Sequence, residues 1–196
     1  INEIKARNIF STVQHEVLPG STEDLKVLKI TVEEKATGEI MAGAGIGTQG
    51  TSFQFSVKEN NWLGKGIKLE TSLNMSEEKV SGDILVVNPN YNYSGNAVTA
   101  GGDVSSTDRS TTSGFQSSRT GFQLGTSFEQ YQHVFISPKL TAAFEDIEVD
   151  TDASTAVKNM EGSFFNTDFG YSLTLDKRNQ RFRPTQGYRT SFIQSL

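Results

Sequence analysis

Few side chains in this 196-residue sequence are equipped for chemistry, and they are scattered. The two histidines, His15 and His133, are far apart, and neither belongs to a His-x-x-x-His or Glu-x-x-His spacing that would put two ligands on one metal. Both read as surface or turn residues. Cysteine is absent, which removes thiolate nucleophiles, zinc–thiolate sites and disulfides together. Asp146, Glu148, Asp150 and Asp152 form an acidic alternation that could hold calcium weakly. The fixed Gly and closing Glu of an EF-hand loop are missing, and a solvated loop accounts for the same residues. Gly43-Ala44-Gly45-Ile46-Gly47 has the glycine content of a dinucleotide loop, yet no helical period follows it and no βαβ unit surrounds it. In a strand, such glycines mean weak pairing or close backbone approach. Asp176 and Arg178 could form a charge pair in a turn, worth little if solvated. No catalytic residue, cofactor or metal site is expected, and the chain reads as a non-enzyme.

The charge balance, Lys+Arg 18 against Asp+Glu 23, lacks the basic surface that tracks phosphates, so nucleic acid is not an expected partner. No apolar run approaches the roughly 18–20 residues of a membrane-spanning helix. A mean hydropathy of −0.41 does not decide between water and membrane, because a transmembrane barrel alternates apolar with polar residues and averages to a soluble value. The chain opens at Ile1 without Met and stops at Leu196 inside an alternating stretch, as a piece of a longer protein would.

The elements that carry these residues are strands. Residues 1–36 read as the end of a helix (Ile1–Arg7), a strand from Ile9 to Val17, a Pro19-Gly20-Ser21 turn and a second strand from Leu25 to Val32. From Glu39 onward, period two takes over, placing successive side chains on opposite faces of a sheet. Ile40, Ala42, Ala44 and Ile46 share one face, and Met41, Gly43, Gly45 and Gly47 the other. Phe53, Phe55 and Val57 alternate with Gln54, Ser56 and Lys58. Ile67, Leu69, Thr71, Leu73 and Met75 alternate with Lys68, Glu70, Ser72 and Asn74. The pattern recurs over 80–88, 97–105, 119–128 (Phe122, Leu124, Phe128), 134–144, 165–175 (Phe169, Leu173) and from Tyr188 to the end, making nine strands after residue 38.

Connections fall into two alternating series. One comprises 59–66, 89–95, 129–133 and 176–187, and the other 48–50, 76–79, 105–114 and 146–162. The second series holds the two longest Ser/Thr/Asp-rich stretches, which suits the outer side of an outer-membrane barrel. The first then lies at the periplasmic side, with Trp62, Tyr91, Tyr93 and Tyr131 near an aromatic girdle. Periodicity alone leaves a soluble antiparallel sandwich open as well.

Val32-Glu33-Glu34-Lys35-Ala36-Thr37-Gly38-Glu39, followed by Gly43-Ala44-Gly45-Ile46-Gly47-Thr48, resembles the junction between the last POTRA domain and the first barrel strand in the BamA-type outer-membrane insertase family. Asn60-Asn61-Trp62-Leu63-Gly64-Lys65-Gly66 looks like that family's first periplasmic turn, and Val87-Asn88-Pro89 like the end of its fourth strand. Leu175-Asp176-Lys177-Arg178 with Pro184-Thr185-Gln186-Gly187-Tyr188-Arg189 looks like the turn between strands eight and nine, and Asn8-Ile9-Phe10-Ser11-Thr12-Val13 like the strand after the second POTRA helix. These likenesses run in order over essentially the whole chain. Ala36 departs from a position where Pro is frequent, which leaves the backbone before Thr37 freer.

The resemblance implies a mainly β fold: the end of an α/β POTRA domain over residues 1–36, with 36–38 (Ala36, Thr37, Gly38) as hinge, then the N-terminal portion of an antiparallel up-and-down transmembrane β-barrel over 37–196. Nine strands cannot close alone in that manner, so it also implies a barrel of roughly 16 strands, with strand one meeting the last. The implied function is assembly of β-barrel proteins into the bacterial outer membrane, by strand augmentation at a weak lateral seam formed by Glu39–Gly47. Its implied partners are unfolded outer-membrane barrel substrates, accessory assembly lipoproteins and outer-membrane lipids. Phe53, Phe55, Val57, Ile67, Leu69, Leu73, Leu124, Phe169 and Leu173 are expected to face lipid. A secretion or autotransporter-assembly relative, a passive porin-like channel and a soluble adhesion module are the alternative readings.

Overall fold

The computed structural model describes residues 1, 4–5, 7–22, 24–47, 50–180 and 183–196. Strands dominate it. β1 (Phe10–Pro19) and β2 (Lys26–Glu34) form an antiparallel hairpin. A separate nine-stranded sheet is built from β3 (Gly38–Gly47), β4 (Gly50–Trp62), β5 (Ile67–Ser76), β6 (Lys79–Asn88), β7 (Ala97–Arg109), β8 (Phe115–Tyr131), β9 (Val134–Val149), β10 (Gly162–Asp176) and β11 (Arg189–Ser195). Its spatial order is its chain order, every pair being antiparallel. This meander is an up-and-down barrel wall, and it is open: among the described residues, β3 and β11 each have one neighbour.

The register explains why alternation matters. Residues directly opposite in an antiparallel ladder point to the same side of the sheet. One row runs Ala42, Phe55, Leu73, Gly82, Val104, Thr120, Phe144, Phe165, and the next Ile40, Val57, Thr71, Ile84, Gly102, Phe122, Ala142, Thr167. Between them, on the other side, lies Met41, Ser56, Ser72, Asp83, Asp103, Gly121, Ala143, Asn166. The sheet therefore has an apolar face and a polar face along its whole width.

Among the described residues, nothing covers the apolar face. Ile9 is the sole buried hydrophobic side chain of that set, while Phe53, Phe122 and Phe165 are 57%, 65% and 70% exposed. A soluble sandwich must bury such a face against a second sheet about 10 Å away. The described residues supply none, and exposed Phe55, Leu73, Val104, Phe144 and Phe165 lie along one row across the sheet, where soluble monomers rarely leave a contiguous apolar patch.

Several strands run further than the sequence reading has them: β4 continues to Trp62 and β8 spans Phe115–Tyr131, each entering a segment read as connection, and β10 begins at Gly162. Half of 105–114 is ladder, with Thr107, Asp108 and Arg109 paired to Ser117, Gln116 and Phe115, so that a short helical turn (Ser110–Ser113) and Gly114 remain as connection. Likewise, β9 runs to Val149, leaving 150–161 as the loop. Backbone pairing does not depend on apolar side chains, so strands continue as polar ladder beyond the apolar band. At the N-terminus, Ile4 and Lys5 are helical, with the Lys5 N–H donating to the Ile1 carbonyl at 3.0 Å; Thr48, read as the start of the connection after the first barrel strand, lies outside the described residues.

Candidate functional site at the open edge of the sheet

Of the two open edges, β11 supplies one and β3 the other. Its residues Glu39, Ile40, Ala42, Gly43, Ala44, Gly45, Ile46 and Gly47 are all exposed, Ile40 at 72% and Ile46 at 90%. A Cβ added at Gly43 or Gly47 would have no heavy atom within 4 Å, and one at Gly45 would meet only the Ser52 Oγ, at 3.2 Å. Close backbone approach within this chain therefore does not account for Gly43 or Gly47. The remaining reading is weak pairing: on the polar face, Gly43 and Gly45 offer nothing to Gln54 and Ser52 opposite them, so cross-strand contributions of about 0.2–1 kcal/mol per pair are missing.

The segment expected to act as a hinge is held by side chains. The Thr37 hydroxyl donates to the Glu59 carboxylate, which also accepts the Asn61 N–H at 2.7 Å, and the Asn60 amide donates to the Thr37 carbonyl at 3.3 Å. Whatever freedom Ala36 allows before Thr37, these contacts fix Thr37 itself, and Gly38 enters the ladder opposite Glu59. Glu59 is a contact of this junction that the sequence reading missed; a carboxylate interrupting the apolar parity of Phe53, Phe55 and Val57 was the available signal.

The turn residues act locally. Asn61 organises the β4–β5 turn: its Oδ1 accepts the Gly66 N–H at 2.7 Å and its carbonyl accepts the Gly64 N–H at 2.9 Å. A β-bulge between Glu59 and Trp62 sets Trp62 opposite Ile67, on the apolar face. A second bulge, between Glu129 and Tyr131, sets Tyr131 opposite Val134 on the same face and at the same end of the sheet. In the β10–β11 connection, Arg178 grips Asp176 with two bonds, Nε to Oδ1 at 2.8 Å and Nη2 to Oδ2 at 2.6 Å; Asp176 raises the Arg178 pKa further, so the guanidinium stays charged. Gly187 has φ +92°, and a Cβ there would run into the Lys177 carbonyl oxygen. Pro184 lies in this connection too.

The residues expected to face lipid fall together. Phe53, Phe55, Val57, Leu69, Leu73, Leu124, Phe169 and Leu173 share the apolar face through the ladder, with Ile67 opposite Trp62. The polar face carries charge: Lys58 pairs with Glu70 at 3.8 Å, Arg119 with Asp103, and the Ser72 hydroxyl donates to Asp83. Among the described residues, no group of His, Asp and Glu could hold a metal ion.

An up-and-down antiparallel wall, apolar on one face and polar on the other, is that of a transmembrane β-barrel. Residues 61–196 match the Omp85 superfamily domain, and the chain belongs to that superfamily. It is 26% identical over 184 residues to the outer membrane protein assembly factor BamA of Nitratidesulfovibrio vulgaris, an alignment covering 91% of this chain and 22% of that protein. Its fold is similar to the crystal structure of BamA from Haemophilus ducreyi lacking POTRA domains 1–3, with a TM-score of 0.69 at 16% identity over 99% of this chain and 40% of that one. The chain thus spans well under half the length of either relative. Superfamily and barrel wall together place it in the bacterial outer membrane.

Proposed function

We propose that this chain is the seam-forming part of an outer-membrane protein assembly factor, and that the free edge of β3 receives strands of incoming β-barrel clients. The observation that carries the reading is an edge, unpaired among the described residues, whose strand has three glycines, Gly43, Gly45 and Gly47, on one face. An unpaired edge is a template for another strand. Because its closure rests largely on backbone bonds, such a strand exchanges one partner for another at modest cost. No covalent step or nucleotide is needed.

In this reading the apolar face contacts lipid and the polar face lines the lumen. The β1–β2 hairpin belongs to the end of a periplasmic POTRA domain, with Ala36, Thr37 and Gly38 as the joint, and the whole protein works with accessory assembly lipoproteins. Support comes from the superfamily match and from the likeness to BamA relatives.

The test is reconstitution of the full-length protein in liposomes with an unfolded client barrel. Replacing Gly43 by Val fills open space, replacing Gly45 by Val packs against the Ser52 hydroxyl, which must shift slightly, and both raise strand propensity. The expected outcome is a well-folded barrel that inserts its client several-fold more slowly. Wild-type insertion by the folded double variant would exclude strand exchange at β3.

A further inference from the structure

The far end of the seam hairpin, opposite the hinge, carries a set of contacts that assembly by strand exchange does not itself require. The β5–β6 turn is only Glu77 and Glu78, closed by Met75 opposite Val80 and stiffened by the Ser76 hydroxyl, which accepts the Lys79 N–H at 3.1 Å and donates to the Lys79 carbonyl at 3.2 Å. In so short a turn the two side chains leave in different directions. Glu77 reaches back to the β3–β4 turn, where its Oε1 accepts the Thr51 N–H at 3.2 Å and its carboxylate occupies the space a Cβ on Gly50 would need. Glu78 reaches forward to the β7–β8 turn. There its carboxylate accepts the Arg109 Nε–H at 3.0 Å and the Thr112 hydroxyl at 3.4 Å, and its carbonyl accepts the Asp108 N–H at 2.7 Å. One further link, the Asp150 N–H donating to the Gly114 carbonyl at 2.9 Å, carries the chain on to the β9–β10 loop.

We propose that Glu77 and Glu78 are a latch that makes the first three hairpins of the nine-stranded sheet, β3–β4, β5–β6 and β7–β8, move as one body, so that the free edge opens with β3 still on β4 rather than by β3 peeling away. An edge strand held on one side, with glycines facing β4, is the part of the sheet most prone to fray. A lone surface ion pair would do little against this. Here one side chain joins an ion pair, a hydroxyl and an adjacent backbone bond, and its sequence neighbour anchors the next turn, so the links act together. The coupling to client insertion rests on the reading of β3 as the receiving edge; the mechanical latch does not.

The experiment uses the full-length protein in nanodiscs, in a cysteine-free background, with spin labels at Gly47→Cys, where a side chain meets no atom, and at Ser113→Cys on the β7–β8 turn. Glu78→Arg should broaden the distance distribution between the labels, and the added Arg109→Glu should narrow it again by restoring the pair in reverse. Glu77→Ala should broaden it without rescue by Arg109→Glu. If Glu78→Arg compromises folding, Glu78→Gln, which keeps a weaker acceptor, should broaden the distribution by less. Client insertion should change about threefold or more in each unlatched variant and return in the charge-reversed pair. A wild-type distribution in the folded Glu77→Ala and Glu78→Arg variants overturns the latch. Broadened distances with unchanged insertion overturn its coupling to the seam, and leave the Gly43/Gly45 test of the receiving edge to stand or fall separately.

Discussion

Placing arginine in turn at positions 67–75 of β5 should produce a profile ordered by membrane depth. From Ile67 to Met75 is eight residue steps, about 27 Å at ~3.4 Å per residue; a strand tilt of about 40° reduces this to about 21 Å along the membrane normal, close to the ~25 Å apolar band of such barrels. The midpoint is Thr71, whose hydroxyl is satisfied by donating to the Asp83 carbonyl at 2.8 Å. Leu69 and Leu73 lie two steps either side, about 5 Å from the midplane by the same geometry. Thr71→Arg in the full-length barrel should therefore cost about 2–4 kcal/mol, Leu69→Arg and Leu73→Arg about 1–3, and Ile67→Arg and Met75→Arg about 0–1. Ser72→Arg and Asn74→Arg, on the polar face, should stay within about 0.5 kcal/mol. The assay is reversible folding into lipid vesicles followed by urea titration. Equal tolerance at Thr71 and Ser72, or costs that do not decline toward both ends of the strand, would refute the assignment of the apolar face to lipid.

Three further outcomes are expected. Gly187→Ala should destabilise the β10–β11 connection by about 1–3 kcal/mol, because both its φ of +92° and the Lys177 carbonyl in the path of a Cβ oppose a side chain; unchanged urea stability and proteolytic resistance of that turn would contradict it. A double-mutant cycle on Asp176→Asn and Arg178→Gln should give a coupling of about 1 kcal/mol, since the contact is bidentate and its side chains are only 14% and 24% exposed, whereas strict additivity would show a solvated pair. With Trp62 as the sole tryptophan of the full-length protein, its fluorescence should be quenched by brominated lipids, and deleting Asn60 to remove the bulge should leave the quenching in place, because Trp62 then follows Glu59 by two residues and keeps its place opposite Ile67 on the apolar face; loss of quenching in the deletion variant, or none in the parent, would sink the bulge argument.

The period-two pattern, the strand count and the division of residues between faces could all be read from the amino-acid order, because each strand carries its own alternation in a contrast as sharp as Leu73 beside Asn74. Gly43, Gly45 and Gly47 were likewise legible as a bare face of one strand. What the tertiary structure decided depends on the neighbouring strand. Thr107, Asp108 and Arg109 look like loop by composition, yet they are strand because Gln116 and its neighbours offer them backbone partners. Trp62 and Tyr131 have the parity of polar-face residues until a bulge beside each, visible only in the pairing, turns both to the apolar face at one end of the sheet. The pinning of Thr37 by Glu59 and the joining of three turns by Glu77 and Glu78 span 22 to 34 residues of sequence. Alternation is a local property of side chains, whereas register, bulges and contacts between turns arise only when one backbone is laid against another.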